Sequence, residues 1–428
     1  MFYNNKNLVS IKFLDEFKGK KIISTSNLFE GCSNLISLDI SNLNTEFVED
    51  MSYMFDKCSE LTSIDLSNFN TKNFKNMERM FVDCHALKSI DLSKFDTSSV
   101  TRIDSMFRNS KSLTSIDMSH FDLSKITNFI RVFCNCESLV SIKLPKFKNV
   151  INMETYYMFD GCKSLKSIDL SNFNINLKGD SCSMFGRCES LTSIDLSAIT
   201  SKDNRNLQEM FVGCKSLKSI DISHFDLSKT SSFYGMFGYC KSLTSIKFPN
   251  AKIPILENLS DMFLECESLT SIDLPIFNTN SRFLTMQRTF SGCKSLTSLD
   301  LSSLNTELAE YMDKLFYGCK SLVYININSF STQNVKSMDS MFYGCESLSS
   351  LNLQNFDTTK VISMNNMFYK CSSLKYLDIS SFSKSLSTLS ITAYFISNEE
   401  GLLKVKKEFY NEIIKKNKID KWQIQFMN

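Results

Sequence analysis

CKSLKSIDLSNF, residues 162–173, recurs in nearly the same letters as CESLTSIDLSAI at 188–199 and as CKSLTSLDLSSL at 293–304. Such self-similarity at a fixed interval is typical of repeat proteins, in which each unit packs only on its neighbours. A chain of 428 residues would otherwise be expected to divide into two or three globular domains. The repeat therefore decides the class of fold before any single residue is considered.

The repeat can be followed along most of the chain by its cysteines. From Cys32 to Cys371 they stand 26 residues apart, except for one double step that passes over Ser110 and one step of 27 residues near Asn280. These positions mark fourteen repeat units, which we call rungs. An earlier, incomplete rung begins where Asn5 takes the place of the cysteine.

Two periodicities alternate within each rung. In one of them, Ile64 and Leu66 alternate with polar residues, which is the period of a β-strand. Further along the same rung, Phe74, Met77 and Met80 fall three residues apart, which predicts a short helix or 3-10 turn. Each rung is therefore predicted to contain one strand and one helical turn.

We predict an α/β repeat fold, a leucine-rich-repeat solenoid of about 15 rungs of 26 residues each. Counted from the cysteine, Leu at +3, Ile or Leu at +6 and +8, and Phe at +11 follow the spacing of that repeat. A parallel sheet should line the concave side, with short helical or 3-10 turns on the convex side. The solenoid is expected to cover residues 1–383.

The unit C-x-S-L-x-S-I-D-L-S-x-F-D-T-S-x-V-x-x-M-x-x-M-F resembles the BspA-like leucine-rich repeats, and also the 26-residue repeat of bacterial and mycoplasmal surface proteins. The resemblance covers roughly residues 1–383. It implies a non-enzymatic scaffold that binds a protein ligand, associated with the cell surface or secreted and adhesin-like. The alternative is an intracellular interaction scaffold, and an enzyme is a more distant alternative.

The regularly spaced cysteines have three possible explanations. Disulfides are disfavoured because thirteen is an odd number and parallel side chains point the same way. Zinc is disfavoured because no Cys-x-x-Cys pair exists. The third explanation, which we favour, is a buried structural thiol ladder, and many free thiols suggest a reducing compartment. The ladder residues are Cys32, Cys58, Cys84, Cys136, Cys162, Cys188, Cys214, Cys240, Cys266, Cys293, Cys319, Cys345 and Cys371. Cys134 and Cys182 lie outside it and are expected at the surface.

The concave face is the expected binding surface. If +6 and +8 face the core, then +5 and +7 face solvent, and +7 is usually aspartate. We call the aspartates at +7 the acidic row. They predict a trough for a basic or amide-rich partner segment or for hard cations, while a solvated face without a ligand is the alternative. The predicted partner-binding residues are Asp39, Asp65, Asp91, Asp117, Lys143, Asp169, Asp195, Asp221, Lys247, Asp273, Asp300, Tyr324 and Tyr376.

Other classes of function find little support in the sequence. The net charge of +2 gives no basic surface for nucleic acid, and no apolar run reaches the length of a membrane span. His120 and His224 occupy equivalent positions four rungs apart, so they cannot share a metal or a catalytic triad. No glycine-rich phosphate loop occurs. We expect neither an enzyme nor a cofactor.

Four rungs repeat as a block. SHFDLSK at 119–125 returns at 223–229, and SIKLPKF at 141–147 returns as SIKFPNA at 245–251. Both copies place a lysine at +7, where the acidic row is interrupted.

The two ends of the chain differ. Residues 384–428 are predicted to form a helical cap, because Ser397 and Glu400 fit a capping box. Apolar residues follow at helical spacing, at Leu402, Val405, Phe409 and Ile413. A final KWQIQF predicts a short strand. The N-terminus opens inside a repeat, so we expect a shortened chain, with a cytoplasmic location if Met1 is the native start.

Overall fold

The computed structural model describes residues 1–13, 19–147, 150–277, 283–382, 400–407 and 421–427. The chain divides into two compact units. The first consists of Met1–Asn204 with Gly213–Leu217, and the second of Arg205–Val212 with Lys218–Asn428. Each unit is built of parallel β-strands wound as a solenoid, and the described residues make about 14 turns. The predicted repeat solenoid is confirmed.

The strands are short and pair in parallel. In chain order they are β1 (Ser10–Lys12), β2 (Ser37–Asp39), β3 (Ser115–Asp117), β4 (Ser141–Lys143), β5 (Ile151–Met153), β6 (Ile175–Asp180), β7 (Ile199–Asn206), β8 (Ser219–Asp221), β9 (Ser245–Lys247), β10 (Lys252–Ile253), β11 (Ile276–Phe277), β12 (Leu284–Thr285), β13 (Ser298–Asp300), β14 (Ala309–Tyr311), β15 (Tyr324–Asn326), β16 (Ser350–Asn352), β17 (Tyr376–Asp378), β18 (Gly401–Lys406) and β19 (Trp422–Met427). The sheets are β1-β2, β3-β4, β5-β6-β7, β8-β9, β10-β11, β12-β14, β13-β15 and β16-β17-β18-β19.

Strand register follows the repeat and sets which side chains face solvent. Between β3 and β4, Ser115 pairs with Ser141 and Asp117 with Lys143, one repeat further along. In β3 the central Ile116 is buried, whereas Ser115 and Asp117 are exposed. Because side chains alternate along a strand, positions +5 and +7 face solvent and +6 faces the core. The predicted orientation of the acidic row therefore holds in β3.

The convex side is built of consecutive turns, and the predicted helical or 3-10 turns are wrong for the described rungs. Tyr53 and Lys57 have positive φ angles of 60° and 63°, which stops a right-handed helix from propagating. Asp56 N–H still donates to the Tyr53 carbonyl in a local turn. Alternate N–H groups instead donate to the next rung at 2.7–3.0 Å, from Met51, Tyr53, Phe55 and Lys57 to the carbonyls of Asn76, Glu78, Met80 and Val82.

A column of stacked phenylalanine rings runs through the core of each unit. In the first unit the rings of Phe29, Phe55, Phe81, Phe107, Phe133, Phe159 and Phe185 follow one another, with centroids 5.3–6.0 Å apart. The second unit has its own column from Phe211 to Phe368 at the same spacing. Each of these phenylalanines stands three residues before a ladder cysteine or before Ser110, and their burial provides much of the hydrophobic stabilisation.

The C-terminal segment adds strands to the second unit. Gly401–Lys406, which was predicted to begin a helix, is a strand, so the helical prediction is wrong for these residues. Leu402 and Leu403 pair with Tyr376 and Leu377 of β17, because the backbone of the last rung offers an edge that a strand satisfies and a helix does not. β19 pairs with β18, as KWQIQF suggested. Ser397, Phe409 and Ile413 lie outside the described residues.

In the described part of the chain there is no helix whose length and apolar character would let it cross a bilayer.

Candidate binding surface

The aspartates of the acidic row cap the turns that end the strands. In nine rungs the Asp Oδ1 accepts the N–H of the residue two positions on at 2.8–3.1 Å. In several of them the Ser hydroxyl donates to the same oxygen, as Ser119 does to Asp117 at 2.6 Å. This Asx turn gives the aspartates a local structural role that was not among the predictions from the sequence.

The exceptions show what the turn requires. Lys143 and Lys247 stand at +7 where +9 is Pro145 or Pro249, and proline has no N–H to be capped. The relation is not general, because Lys12 stands at +7 of the first rung, where +9 is Leu14. Asp273 also has a proline two residues on, Pro275, so its carboxylate has no N–H to accept at that place. Unlike the two lysines, it nevertheless keeps a negative charge at +7.

Hydrogen bonds lower the pKa of several carboxylates of the row. Hydrogen bonds from the serine two residues on are the main cause that lowers the pKa of Asp65, Asp169 and Asp300. The equivalent hydrogen bonds, from Ser223, are the main cause that lowers the pKa of Asp221 to about 2. For Asp117, a hydrogen bond from Lys143 is the first cause of a lowered pKa. These five aspartates are therefore negatively charged at neutral pH.

Some of these charges are already paired. In the first unit, Lys143 Nζ lies 2.7 Å from Asp117 Oδ2, and Lys12 Nζ lies 3.5 Å from Asp39 Oδ2. Asp65, in contrast, has no ion pair among the described residues. In the second unit Lys247 lies 3.2 Å from Asp221 and Asn326 Nδ2 donates to Asp300 at 3.1 Å.

The two predicted tyrosines have different surroundings. Tyr324 is 57% exposed on the concave face of the second unit. Tyr376 is half-buried, its hydroxyl donates to Asp378 at 3.3 Å and Lys404 Nζ lies 5.5 Å from its ring centroid. Asp378, which also occupies +7, is only 3% exposed and is not available to a ligand.

Every ladder thiol has the same environment. Each Sγ–H donates to the backbone carbonyl of a phenylalanine in the neighbouring part of the chain, at 3.1–3.3 Å. This phenylalanine stands three residues before the cysteine position of the previous rung, as Phe29 does for Cys58. Ser110 makes the same bond with its hydroxyl at 2.8 Å. All thirteen are buried and none forms a disulfide. The geometry supports the proposal that these thiols are structural.

Burial lowers the reactivity of these thiols. It raises the pKa of Cys319 and of Cys371 to about 12, and of Cys162 well above the ordinary value. Cys134 was predicted at the surface but is only 6% exposed, and its Sγ lies 4.0 Å from Asp160 Oδ2. Cys182 is partly exposed.

We expect a thiol reagent at neutral pH to modify Cys182 in the native protein and to leave the ladder thiols unmodified until the chain unfolds, because the thiolate is the reactive form. Peptide mass mapping of protein alkylated with and without urea measures this. The variant Cys182→Ser is the control, and its native form should take up almost no reagent. Rapid native labelling of Cys162 or Cys319 would contradict the prediction.

Buried ion pairs on the convex side were not predicted. Asp56 is nearly inaccessible, and its Oδ2 accepts from Arg79 Nη2 at 3.0 Å. In the second unit Arg288 binds Asp261 at 2.6 Å. The repeat pattern held no signal for these pairs, because the position of Asp56 has residues as different as Val82, Arg108 and Tyr317 in other rungs. Among the residues the structure describes, no cluster of His, Cys, Asp and Glu could hold a metal ion.

One family model matches most of the chain. The family model described as "Mycoplasma protein of unknown function, DUF285" matches residues 1–90, 88–166, 153–272, 248–349 and 284–403. None of the curated proteins compared with the chain matches it.

Several solved structures are similar. A leucine-rich repeat protein from Bacteroides ovatus has 20% identity and a TM-score of 0.48, with 98% of this chain and 92% of that chain covered. A leucine-rich cell surface protein from Faecalibacterium prausnitzii has 18% identity and a TM-score of 0.32, with 67% and 84% covered. The functional domain of InlJ from Listeria monocytogenes, which includes a cysteine ladder, has 14% identity and a TM-score of 0.23, with 94% and 75% covered.

Proposed function

The chain belongs to the family of Mycoplasma proteins of unknown function, DUF285, and from its BspA-like leucine-rich-repeat fold we propose that it is a non-enzymatic scaffold whose acidic row binds a basic segment of a partner protein. A repeat solenoid presents an extended surface on which successive rungs contact successive residues of a ligand. The proposal concerns the concave face of each unit separately.

The observation that carries the proposal is that the turns do not need the charge. Asn326 and Asn352 cap the same turn with a neutral amide oxygen, accepting the N–H two residues on at 3.3 and 3.0 Å. Asp273 keeps a carboxylate where Pro275 leaves no N–H to cap. The aspartates thus supply a negative charge beyond what the fold requires, which a basic ligand would use.

The charges are also arranged at a cost to the protein. Asp39 and Asp91 both act to raise the pKa of Asp65, because neighbouring carboxylates repel each other. A lysine or arginine side chain placed over two adjacent rungs would remove this repulsion. Binding of this kind should be faster and tighter at low ionic strength, since these carboxylates are exposed.

We place the scaffold at the cell surface as an adhesin-like protein, in keeping with the family resemblance. The free thiols had favoured an intracellular scaffold, but thiols that are buried and hydrogen-bonded resist oxidation in either compartment. Protease treatment of intact source cells, followed by terminal peptide sequencing, tests the location. Complete resistance to the protease would contradict the surface location and favour the intracellular scaffold.

The double variant Asp65→Asn/Asp91→Asn should keep the fold and bind a basic peptide more weakly, by a factor on the order of 10. Asparagine retains the oxygen that caps the turn, so only the charge is lost. A fluorescein-labelled peptide of alternating lysine and serine, titrated at low salt and followed by fluorescence anisotropy, measures the affinity. Circular dichroism and thermal unfolding check the fold.

A matched control exists in the same unit. Asp96 and Asp122 accept the N–H of Ser98 and Ser124 in the same kind of turn, but at +12, outside the acidic row. The variant Asp96→Asn/Asp122→Asn removes the same net charge and should leave the affinity nearly unchanged. Equal affinities for the wild type and the Asp65/Asp91 variant, or an equal loss in the control, would refute the proposed site.

A further inference from the structure

A cavity of about 260 Å³ opens on the concave face of the first unit, where Lys143 interrupts the acidic row. Its lining comes from three successive rungs, those of Ser110, Cys136 and Cys162. Its lining residues are Ser119, Ile142, Lys143, Leu144, Pro145, Lys146, Asp169, Asn172 and Phe173.

The walls of the cavity carry charges of both signs. Lys143 lies on one side, where it also contacts Asp117 at 2.7 Å, and Asp169 lies on the next rung. Lys146 is exposed and forms no ion pair among the described residues, although it is close enough to help lower the pKa of Asp169. The Asp169 Oδ1 accepts the Ser171 N–H at 2.9 Å, which leaves the other carboxylate oxygen more accessible to a cation.

The floor of the cavity is apolar. Ile142, Leu144, Pro145 and Phe173 are all buried or nearly so. Pro145 brings no N–H that a ligand would have to satisfy. The ring of Phe173 packs against that of Phe147, with centroids 5.3 Å apart and the ring planes tilted by 54°. Such a floor suits the aliphatic stems of long charged side chains, while their ends reach the lysines and the aspartate.

We propose that this cavity binds an acidic side chain and a neighbouring basic side chain of an extended partner segment, the acidic one at Lys143 and Lys146 and the basic one at Asp169. The inference rests on the proposed function, whose partner it specifies. In an extended segment, side chains two residues apart lie on one face about 6.6 Å apart, and successive rungs are about 4.8 Å apart. A Glu-x-Lys pair therefore spans the two neighbouring rungs that carry Lys143 and Asp169.

The duplicated block provides an internal comparison. In the second unit Lys247 again pairs with the aspartate one rung before it, Asp221, at 3.2 Å. However, the second unit has Asn250 at the position of Lys146 and Ile276 at the position of Asn172. The second unit therefore lacks the ammonium group that Lys146 supplies in the first. The variant Lys146→Asn gives the first unit the same residue at this position as its duplicate has.

The experiment uses three labelled nonapeptides with the full chain. Each alternates lysine with serine, and the central residue is glutamate, glutamine or lysine. We expect the wild type to bind the glutamate peptide a few-fold more tightly than the glutamine peptide, although the acidic row by itself would favour the less acidic one. Lys146→Asn should reduce this preference about two- to five-fold. Lys146→Glu should invert the order, so that the peptide with the central lysine binds most tightly.

The control Lys125→Glu changes the net charge equally at an exposed residue outside the concave face and should leave the order unchanged. The scaffold function stands if the basic peptides bind and the Asp65/Asp91 variant weakens their binding. In that case the cavity proposal is wrong if the glutamate peptide is not preferred, or if Lys146→Glu does not invert the order of affinities. If none of the peptides binds the wild type, both proposals fail.

Discussion

Replacement of Phe133 with alanine is expected to lower the free energy of unfolding by about 3–5 kcal/mol. The ring is fully buried between Phe107 and Phe159, with centroids 6.0 and 5.4 Å away. Phe129 packs against it at 6.1 Å from another position of the same rung. Alanine would leave a cavity in a column where rings on both sides are held by their own rungs and cannot close it. Urea denaturation followed by circular dichroism measures the change.

The repeat offers two comparisons for this result. Phe237 occupies the same position in the second unit, with neighbours at 5.8 and 5.9 Å, and its replacement with alanine should cost a similar amount. Phe47 is 40% exposed and outside the column, so Phe47→Ala should cost less than about 1 kcal/mol. If Phe133→Ala were as mild as Phe47→Ala, the stacked column would not be a main source of stability.

Replacement of Arg79 with methionine is expected to destabilise the protein by about 3 kcal/mol at neutral pH, because it leaves the Asp56 carboxylate buried without its cation. The Asp56 side chain is 1% exposed, and both Nε and Nη2 of Arg79 donate to its Oδ2, at 3.3 and 3.0 Å. Its Oδ1 has no hydrogen-bond partner among the described residues. Thermal and urea unfolding measure the loss.

The loss should depend on pH in a definite direction. Burial raises the pKa of Asp56 in the folded protein, and Arg79 acts against this. A carboxyl group with a raised folded pKa binds its proton more tightly when folded, so stability falls as pH rises through the window from the unfolded to the folded pKa. Without Arg79 the folded pKa rises further. The deficit of Arg79→Met relative to the wild type should therefore shrink as the pH is lowered from about 7 toward about 4.

A second substitution separates lost charge from lost packing. In the background Arg79→Met, the change Asp56→Asn removes the uncompensated charge and should restore more than half of the lost stability. A deficit that is the same at both pH values and is not relieved by Asp56→Asn would mean that the packing of Arg79, which lies 5.1 Å from the Tyr53 ring centroid, causes the loss.

Part of the binding surface could be read from the sequence because its cause is local. The alternation of Ser115, Ile116 and Asp117 determines which side chains face solvent in any parallel strand. The Asx turns were also within reach, because they join residues two positions apart. What the sequence left open was whether the charge has a role beyond the turn. The comparison of Asn326 with Asp273 now favours such a role, and the peptide experiments test it.

The convex side shows why the rest could not be predicted. A spacing of three residues, as between Phe74 and Met77, is shared by a helix and by successive turns. The choice between them depends on residues such as Arg79, which adopts a positive φ of 56° although it is not glycine. Nothing in an arginine predicts that conformation. It is held by hydrogen bonds to a rung one repeat away, such as the bond from Arg79 N–H to the Asp104 carbonyl at 2.9 Å.

The sequence by itself determined the repeat, the parallel strands, the inward and outward positions and the place of each ladder thiol, because each follows from a pattern within one 26-residue unit. Only the tertiary structure decided that turns replace helices, that Gly401–Lys406 is a strand, which aspartates of the row are paired, and that a cavity separates Lys143 from Asp169. These features depend on side chains and backbone groups of neighbouring rungs, whose distances are set by stacking and not by the order of residues along the chain.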